Sequence, residues 1–189
     1  MNKCCLLGLC LVLASPAMAE DASGLPELTQ EELEQYQFEV DRSDVSITEL
    51  SIGQRYVLDT QRREIKDLIA RRLGVLSLRD DGSTIRVLQR LVDEKVIPPA
   101  ETRDWQSLGV VFGDILVHDF GLHWVSYEDS LGESKALRWK DTDNFVFPVT
   151  LFSKRVQFEE KIDVRAIYDK LAAEIESFKA YERSRPEFK

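Results

Sequence analysis

Cysteine is almost missing from this chain, and its few cysteines lie close together. All three, Cys4, Cys5 and Cys10, fall within the first ten of 189 residues. Because that segment looks like a removable leader, we expect a mature chain with no disulfide, no thiolate metal ligand and no cysteine nucleophile. Its stability must then come from a packed core, and roughly 170 residues suit one domain that folds without cross-links.

Long apolar runs are also missing, apart from one short run at the N-terminus. Lys3 precedes an apolar stretch over residues 4–14, and the small-residue pattern Ala17-Met18-Ala19 follows. This is the order of a secretory signal peptide, with cleavage expected after Ala19. No later run approaches the roughly 20 apolar residues of a membrane helix. The sequence therefore predicts a periplasmic or secreted protein with no transmembrane anchor after cleavage.

A lipid anchor is the alternative to soluble export. Cys10 is the candidate lipidated residue, but Leu9 before it is larger than the small residues that usually stand there. We therefore favour export as a soluble chain.

Basic residues are scarce relative to acidic ones. The chain has 25 Lys and Arg against 34 Asp and Glu, a net charge of −9 at pH 7, and loss of Lys3 makes it −10. Residues 20–54 hold ten acids and one base, whereas residues 55–90 hold nine bases and five acids. These two stretches either lie near each other or are both solvated; alternatively, the basic one binds an envelope protein or an anionic envelope component. Export and the acidic balance argue against nucleic acid as a partner.

Helical periodicity covers much of the mature chain. The predicted helices span about residues 30–40, 54–73, 83–97, 101–118 and 164–178. Thr29 offers a capping box with Glu32, Asp163 can cap the last helix, and Gly74 can end the second in a left-handed conformation. Apolar side chains recur three and four residues apart in the later helices, so each needs a surface to pack on.

Three short strands are predicted between the last two helices, at residues 122–128, 134–139 and 145–149. Hairpin-like turns at 129–132 and 141–144 join them into an antiparallel sheet. Pro148 either ends the third strand or occupies the first turn of a short helix at 150–156. The predicted class is α+β: N-terminal helices, a small three-stranded antiparallel sheet and a C-terminal amphipathic helix.

Four segments make up the expected domain organisation. Residues 1–19 are the signal peptide, 20–52 an acidic arm with a short helix, 53–182 one α+β domain, and 183–189 a tail.

Two glycines, Gly109 and Gly113, lie four residues apart on one predicted helix. In a membrane span this spacing suggests helix dimerisation. In a helix that also carries Asp104 and Asp114, it predicts instead that another stretch of backbone approaches closely.

The stretch "GDILVHDFGLHWVSYED" contains both histidines of the chain and three aspartates. Asp114 and His118 lie one helical turn apart, which can stabilise the helix, and a histidine in the last turn favours the negative end of the helix dipole. Asp114, His118 and His123 are candidate metal ligands, but they lack the HExxH spacing and straddle a helix-to-strand corner. We predict no metal site and keep a weak metal binder as a third hypothesis.

Catalytic motifs are absent from the sequence. It has no GxSxG elbow and no glycine-rich phosphate loop, and no cofactor is implied. Carboxylate pairs such as Asp80-Asp81 and Glu159-Glu160 suit solvated faces in a chain with 31% charged residues. An envelope hydrolase that uses paired carboxylates is the alternative function, and a pocket with two facing acids, one with a raised pKa, would support it.

Aromatic and basic residues near the predicted sheet are the candidate binding surface. Its residues are Trp124, Glu128, Asp129, Arg138, Trp139, Lys154 and Arg155. Aromatic and arginine side chains are the usual anchors of interaction surfaces. The favoured hypothesis is a binding or interaction module without a catalytic residue.

Four segments in a characteristic order give the chain a family resemblance: "LQRLVDEKVI", "LGVVFGDIL", "GLHWVSYEDSLGESKALR" and "NFVFPVTLFSKRV". Together they resemble the bacterial family called domain of unknown function 3806, over about residues 83–175. The resemblance supports a domain boundary and implies a bacterial source. The family has no established activity, so the resemblance implies no catalytic residue.

Overall fold

The computed structural model describes residues 45–184, in which one strand is followed by a group of helices, then by three strands and finally by two helices. The helices are α1 Ile52–Leu73, α2 Ile85–Asp93, α3 Thr102–Phe120, α4 Leu151–Gln157 and α5 Val164–Ser184. A single 3₁₀ turn, Gly82–Thr84, leads into α2. The strands are β1 Ser46–Glu49, β2 His123–Asp129, β3 Gly132–Arg138 and β4 Phe145–Val146. The α+β class predicted from the sequence is confirmed.

The sheet has four strands in the order β1-β2-β3-β4, all antiparallel, rather than the predicted three. The additional strand, β1, lies in the segment interpreted as a connector within the acidic arm. Ser46, Thr48 and Glu49 are exposed in it, so the short strand lacks the apolar alternation that reveals a half-buried strand. Its pairing with β2, from Ser46 opposite Glu128 to Glu49 opposite Val125, depends on a partner about 80 residues away.

Local capping signals set the helix ends. Ser51 and Gln54 form a reciprocal capping box at the start of α1, and Gly74 ends that helix with φ of 68°. Gly121 ends α3 in the same way, with φ of 65°. Asp163 accepts a hydrogen bond from the backbone N–H of Ala166 at 2.9 Å, as predicted for the cap of α5.

The main core lies between the helices α1 to α5 and one face of the sheet. Its buried residues include Ile65, Ile69, Leu88, Leu91, Leu108, Phe112, Ile115, Leu116, Leu137, Phe152 and Ile175. Phe112 meets Phe152 edge to face, with ring centroids 5.3 Å apart. The apolar faces predicted for the helices therefore pack together. None of the helices within residues 45–184 is long and apolar enough to span a membrane.

Close approach of another backbone segment explains Gly109, and close packing of the Trp124 and Pro148 side chains explains Gly113. A Cβ at Gly109 would lie 2.2 Å from the carbonyl oxygen of Pro148, and one at Gly113 would lie 2.6 Å from the Trp124 indole. The prediction that another stretch of backbone approaches this helix is confirmed. Pro148 ends β4, since the strand stops at Val146 and α4 begins only at Leu151.

The predicted signal peptide at 1–19 and the predicted helix at 30–40 lie outside the described residues, as do residues 185–189 of the predicted tail at 183–189. The first two residues of that tail, Arg183 and Ser184, belong to α5.

Candidate functional site

Two residues of the predicted binding surface lie on opposite faces of the sheet. Trp124 pairs with Leu137, whereas His123 pairs with Arg138, so Trp124 and Arg138 point in opposite directions. Trp124 lies on the face that meets the helices, and its indole Nε1 donates to Asp114 at 3.0 Å. The structure therefore does not bring these two anchors together.

Arg138 and Trp139 are engaged within the fold. The Nε of Arg138 donates to the carbonyl oxygen of Thr142 at 2.7 Å, and its guanidinium lies over the ring of Phe145. Trp139 packs against Phe178 of α5, with ring centroids 6.2 Å apart. Both residues anchor the loop after β3.

The other four candidates are spread over the β2–β3 hairpin and α4. The Asp129 carboxylate accepts from the Leu131 N–H in the hairpin turn, while Glu128 is exposed. In α4, Arg155 donates to the carbonyl of Leu151 at 2.9 Å, and Lys154 is exposed.

The candidate metal ligands are also dispersed. Asp114 does not pair with His118, because it faces Arg62 of α1, and His118 contacts the neighbouring Asp119 instead. His123 lies on the sheet face opposite Trp124. Within residues 45–184, no group of three histidine, cysteine or acidic side chains is placed to hold a metal ion.

Arg62, Asp114 and Trp124 form a polar node between α1, α3 and β2. Arg62 donates to Asp114 through Nε at 2.6 Å and Nη2 at 2.7 Å, and its Nη1 contacts Asp59 at 2.6 Å. Burial lowers the pKa of Arg62, but the hydrogen bonds and charges of Asp114 and Asp59 raise it above its usual value. Sequence reasoning missed Arg62, since its partner is 52 residues away.

His118, Asp119 and Tyr168 form a second cluster, which links the end of α3 to α5. The carboxylate of Asp119 contacts Nδ1 of His118 at 2.8 Å and accepts from the Tyr168 hydroxyl at 2.7 Å. The hydrogen bond with Asp119 raises the pKa of His118 above its ordinary value. Burial, followed by the bond to Asp119, raises the pKa of Tyr168 to about 12. The cluster fits a structural link between helices.

Among residues 45–184, two carboxyl groups have a shifted pKa, and both shifts are downward. Hydrogen bonds from Ser83 lower the pKa of Asp81, and a hydrogen bond from Gln54 lowers that of Glu133. A general acid needs the opposite shift. These two groups therefore offer no support for the hydrolase alternative.

A groove of about 270 Å³ lies between α1, α3, β3 and the segment that follows β4. We call it the β3 groove. Its lining residues are Val57, Gln61, Arg103, Gln106, Glu133, Ser134, Lys135, Phe147, Val149 and Thr150. None of them belongs to the surface predicted from the sequence.

Gln61 is the notable residue of the β3 groove. It is only 5% exposed as a residue and lines the groove, and no fully buried side-chain nitrogen or oxygen within residues 45–184 lacks a hydrogen-bond partner. A polar side chain among apolar neighbours at the border of a groove is placed to meet a polar group of a ligand. The sequence pattern indicates this residue as a candidate, because Gln61 interrupts the apolar face of α1 between Leu58 and Ile65.

The charges of the β3 groove are already paired. Arg103 donates twice to Glu64, each time at 3.0 Å, and Lys135 lies 3.3 Å from Glu133. With two cations and two carboxylates, the local net charge is zero. The groove therefore offers the polar groups of uncharged residues, together with the apolar surfaces of Val57 and Phe147.

A second groove, of about 530 Å³, is more apolar and lies beside Trp105, Val156 and Ile162. The indole N–H of Trp105 is already bonded to the carbonyl of Pro98 at 3.0 Å. Its lining shows no unpaired buried polar group that would select a ligand.

Comparison with protein families gives a match over the central part of the chain. Residues 84–168 match the family described as Domain of unknown function (DUF3806). The resemblance predicted from the sequence is confirmed. The DUF3806 region begins at the end of the 3₁₀ turn and ends within α5, so β1 and α1, including the Gln61 side of the β3 groove, lie outside it.

A crystal structure from Bacteroides thetaiotaomicron VPI-5482 resembles the chain with a TM-score of 0.62 and 14% sequence identity. The match covers 68% of this chain and 47% of that one, so it spans about half the length of the other protein. At this identity the likeness shows the fold alone. No curated protein matches the chain in sequence.

Proposed function

We propose that the protein is an exported binding module and that the β3 groove is its ligand site. The observation that carries the proposal is the position of Gln61, a polar side chain on the apolar face of α1 that lines the groove. A ligand that pairs with this amide while it displaces water from the groove would gain affinity and specificity.

The remaining lining residues support a recognition role. Gln106 and Thr150 add side chains with both donor and acceptor groups, and Phe147 adds an exposed aromatic surface. A few polar groups beside apolar walls are typical of ligand sites. The paired charges also favour an uncharged ligand over an anion.

Export is supported by the sequence alone. Lys3, the apolar run at 4–14 and the Ala17-Met18-Ala19 pattern are the parts of a signal peptide. Fractionation of the native host followed by N-terminal sequencing tests this. We expect a periplasmic or secreted protein that begins at Glu20; a cytoplasmic protein that retains Met1 would overturn it.

Binding is tested by NMR titration of the ¹⁵N-labelled protein with three probes: a capped neutral pentapeptide, a neutral N-acetylglucosamine trisaccharide and inorganic phosphate. We expect at least one neutral probe to shift the side-chain amide of Gln61 and the backbone amides of Gln106 and Ser134. Phosphate should leave the NMR signals of these groups unchanged.

Gln61→Leu is the variant that tests the site. It keeps a similar volume and removes the amide, so the fold should hold while the shifts are lost. Gln157→Leu is the matched control, since Gln157 is exposed and lies outside the β3 groove. If no neutral probe shifts the groove, or if Gln61→Leu binds as well as wild type, this site is wrong.

A further inference from the structure

We infer that the occupant of the β3 groove is an uncharged, extended segment of polypeptide that adds to β3 as a further strand, at the edge that no strand within residues 45–184 covers. This inference rests on the proposed function, because it names the ligand of the same groove.

The first support is the open edge of β3. Its pairing with β2 runs through seven residue pairs, from His123 opposite Arg138 to Asp129 opposite Gly132. Its pairing with β4 has only two, Leu137 with Val146 and Arg138 with Phe145. Among the described residues, positions 132–136 therefore pair on one side only. Their outward N–H and C=O groups form a template for another extended backbone.

The second support is the reason why β4 leaves this edge. Pro148 has no N–H to donate, so it cannot continue the pairing with β3. Its carbonyl instead lies so close over Gly109 of α3 that a Cβ there would meet it at 2.2 Å. The segment after β4 is held against α3, and the β3 groove lies between that segment and residues 133–135 of β3.

The third support is the alternation of side chains along an added strand. Successive residues of such a strand point to opposite faces of the sheet. One set of side chains would point toward α1 and α3, where Gln61 and Gln106 present amides. The other set would lie on the opposite face of the sheet, beside the aromatic rings of Tyr127 and Phe147, whose centroids are 5.3 Å apart.

The pairing of charges around the β3 groove favours an uncharged side chain at the position of the added strand that points into the groove. The cations Arg103 and Lys135 are paired with Glu64 and Glu133, so an ionised side chain would find no free counter-charge. An amide both donates and accepts, as the Gln61 side chain does. The groove therefore suits asparagine, glutamine, serine or threonine at the inward position.

The test uses capped pentapeptides of sequence Thr-Val-Xaa-Val-Thr, with asparagine, aspartate or lysine at the central position, and the full-length mature protein. We expect the asparagine peptide to bind about tenfold more tightly than the aspartate or lysine peptide. Bound peptide should also slow the hydrogen exchange of alternate backbone amides within residues 132–136, because only outward N–H groups gain a partner.

N-methylation of the peptide backbone separates strand addition from side-chain recognition. Two peptides carry methyl groups on alternate nitrogens, one on the odd positions and one on the even. We expect one pattern to abolish binding and the other to be tolerated, since only alternate N–H groups of an added strand face β3. Gln61→Leu should lower the affinity of the protein for the asparagine peptide, while Gln157→Leu should leave that affinity unchanged.

Equal binding by the two N-methylated peptides would overturn strand addition and leave the proposed function standing. Binding of the neutral trisaccharide at the groove without binding of any pentapeptide would also overturn strand addition and leave the proposed function standing. If neither neutral probe shifts the groove residues, the proposed function fails together with this inference.

Discussion

Arg62 holds both carboxylate oxygens of Asp114, with Nε and Nη2 donating at 2.6 and 2.7 Å. The pair joins α1 to α3, and the two side chains are only 22% and 14% exposed. Because a guanidinium matches a carboxylate through two parallel bonds, the pair also sets the orientation of the helices.

Asp114→Ala should lower the free energy of unfolding by about 2–4 kcal/mol, because it removes the acceptor of Nε and Nη2 of the half-buried Arg62 guanidinium and of the Trp124 indole N–H, and leaves Arg62 only Asp59. Urea denaturation measures this. Glu64→Ala is the control: its partner Arg103 is largely exposed, so the loss should stay below about 1 kcal/mol. Similar losses in the two variants would show that burial of the first pair has no special effect.

Gly109→Ala should destabilise the fold by more than about 2 kcal/mol, since the new methyl group would collide with the Pro148 carbonyl. Gly53→Ala is the matched change in α1. Its Cβ would meet only the Ser51 hydroxyl at 4.0 Å, so we expect no loss, or a gain of up to about 1 kcal/mol. Thermal unfolding followed by circular dichroism compares the two. Equal melting temperatures would contradict the close approach.

Stability should fall as pH rises through the pKa of His118. The hydrogen bond with Asp119 raises this pKa in the folded state. The resulting stabilisation is fully present below the unfolded value of about 6.5, and is lost as pH increases through the higher folded value. NMR titration of His118 gives the folded pKa, and melting curves from pH 5 to 9 give the stability profile. His118→Gln and Asp119→Asn should both remove this part of the slope; an unchanged slope in both would refute the assignment.

Arg138→Ala should lower stability by about 1–2 kcal/mol, because its side chain is 16% exposed and bonds to the Thr142 carbonyl. Lys154→Ala, at an exposed position of α4, should change stability by less than about 0.5 kcal/mol. The sequence had predicted that Arg138 and Arg155 capture a partner. If an Arg138→Ala/Arg155→Ala variant kept full stability but lost partner capture, the binding surface predicted from the sequence would be supported.

Much of the fold was predictable because its signals are local. Apolar spacing identified α1, α2, α3 and α5, Gly74 ended α1 as expected, and Pro148 ended β4. The fourth strand was missed because β1 is short, exposed and polar, and becomes a strand only by pairing with β2.

The candidate site was far less predictable. The sequence favoured side chains that often bind ligands, such as Trp124 and Arg138, but pairing register sends these two to opposite faces. Gln61 carried a weak signal, as a polar residue on an apolar helix face. Nothing local indicated that Gln106 and Lys135 would line the same groove.

The sequence by itself determined the helices, their caps, the α+β class and the resemblance to the DUF3806 family, since these depend on periodicity and on neighbours a few residues apart. It also carries the whole argument for export. Only the tertiary structure decided that Asp114 pairs with Arg62 and that, among the described strands, none covers the edge of β3 at residues 132–136 beside the Gln61 groove. Such relations join residues far apart in the chain, and their energies come from burial and geometry that exist only once the helices have packed on the sheet.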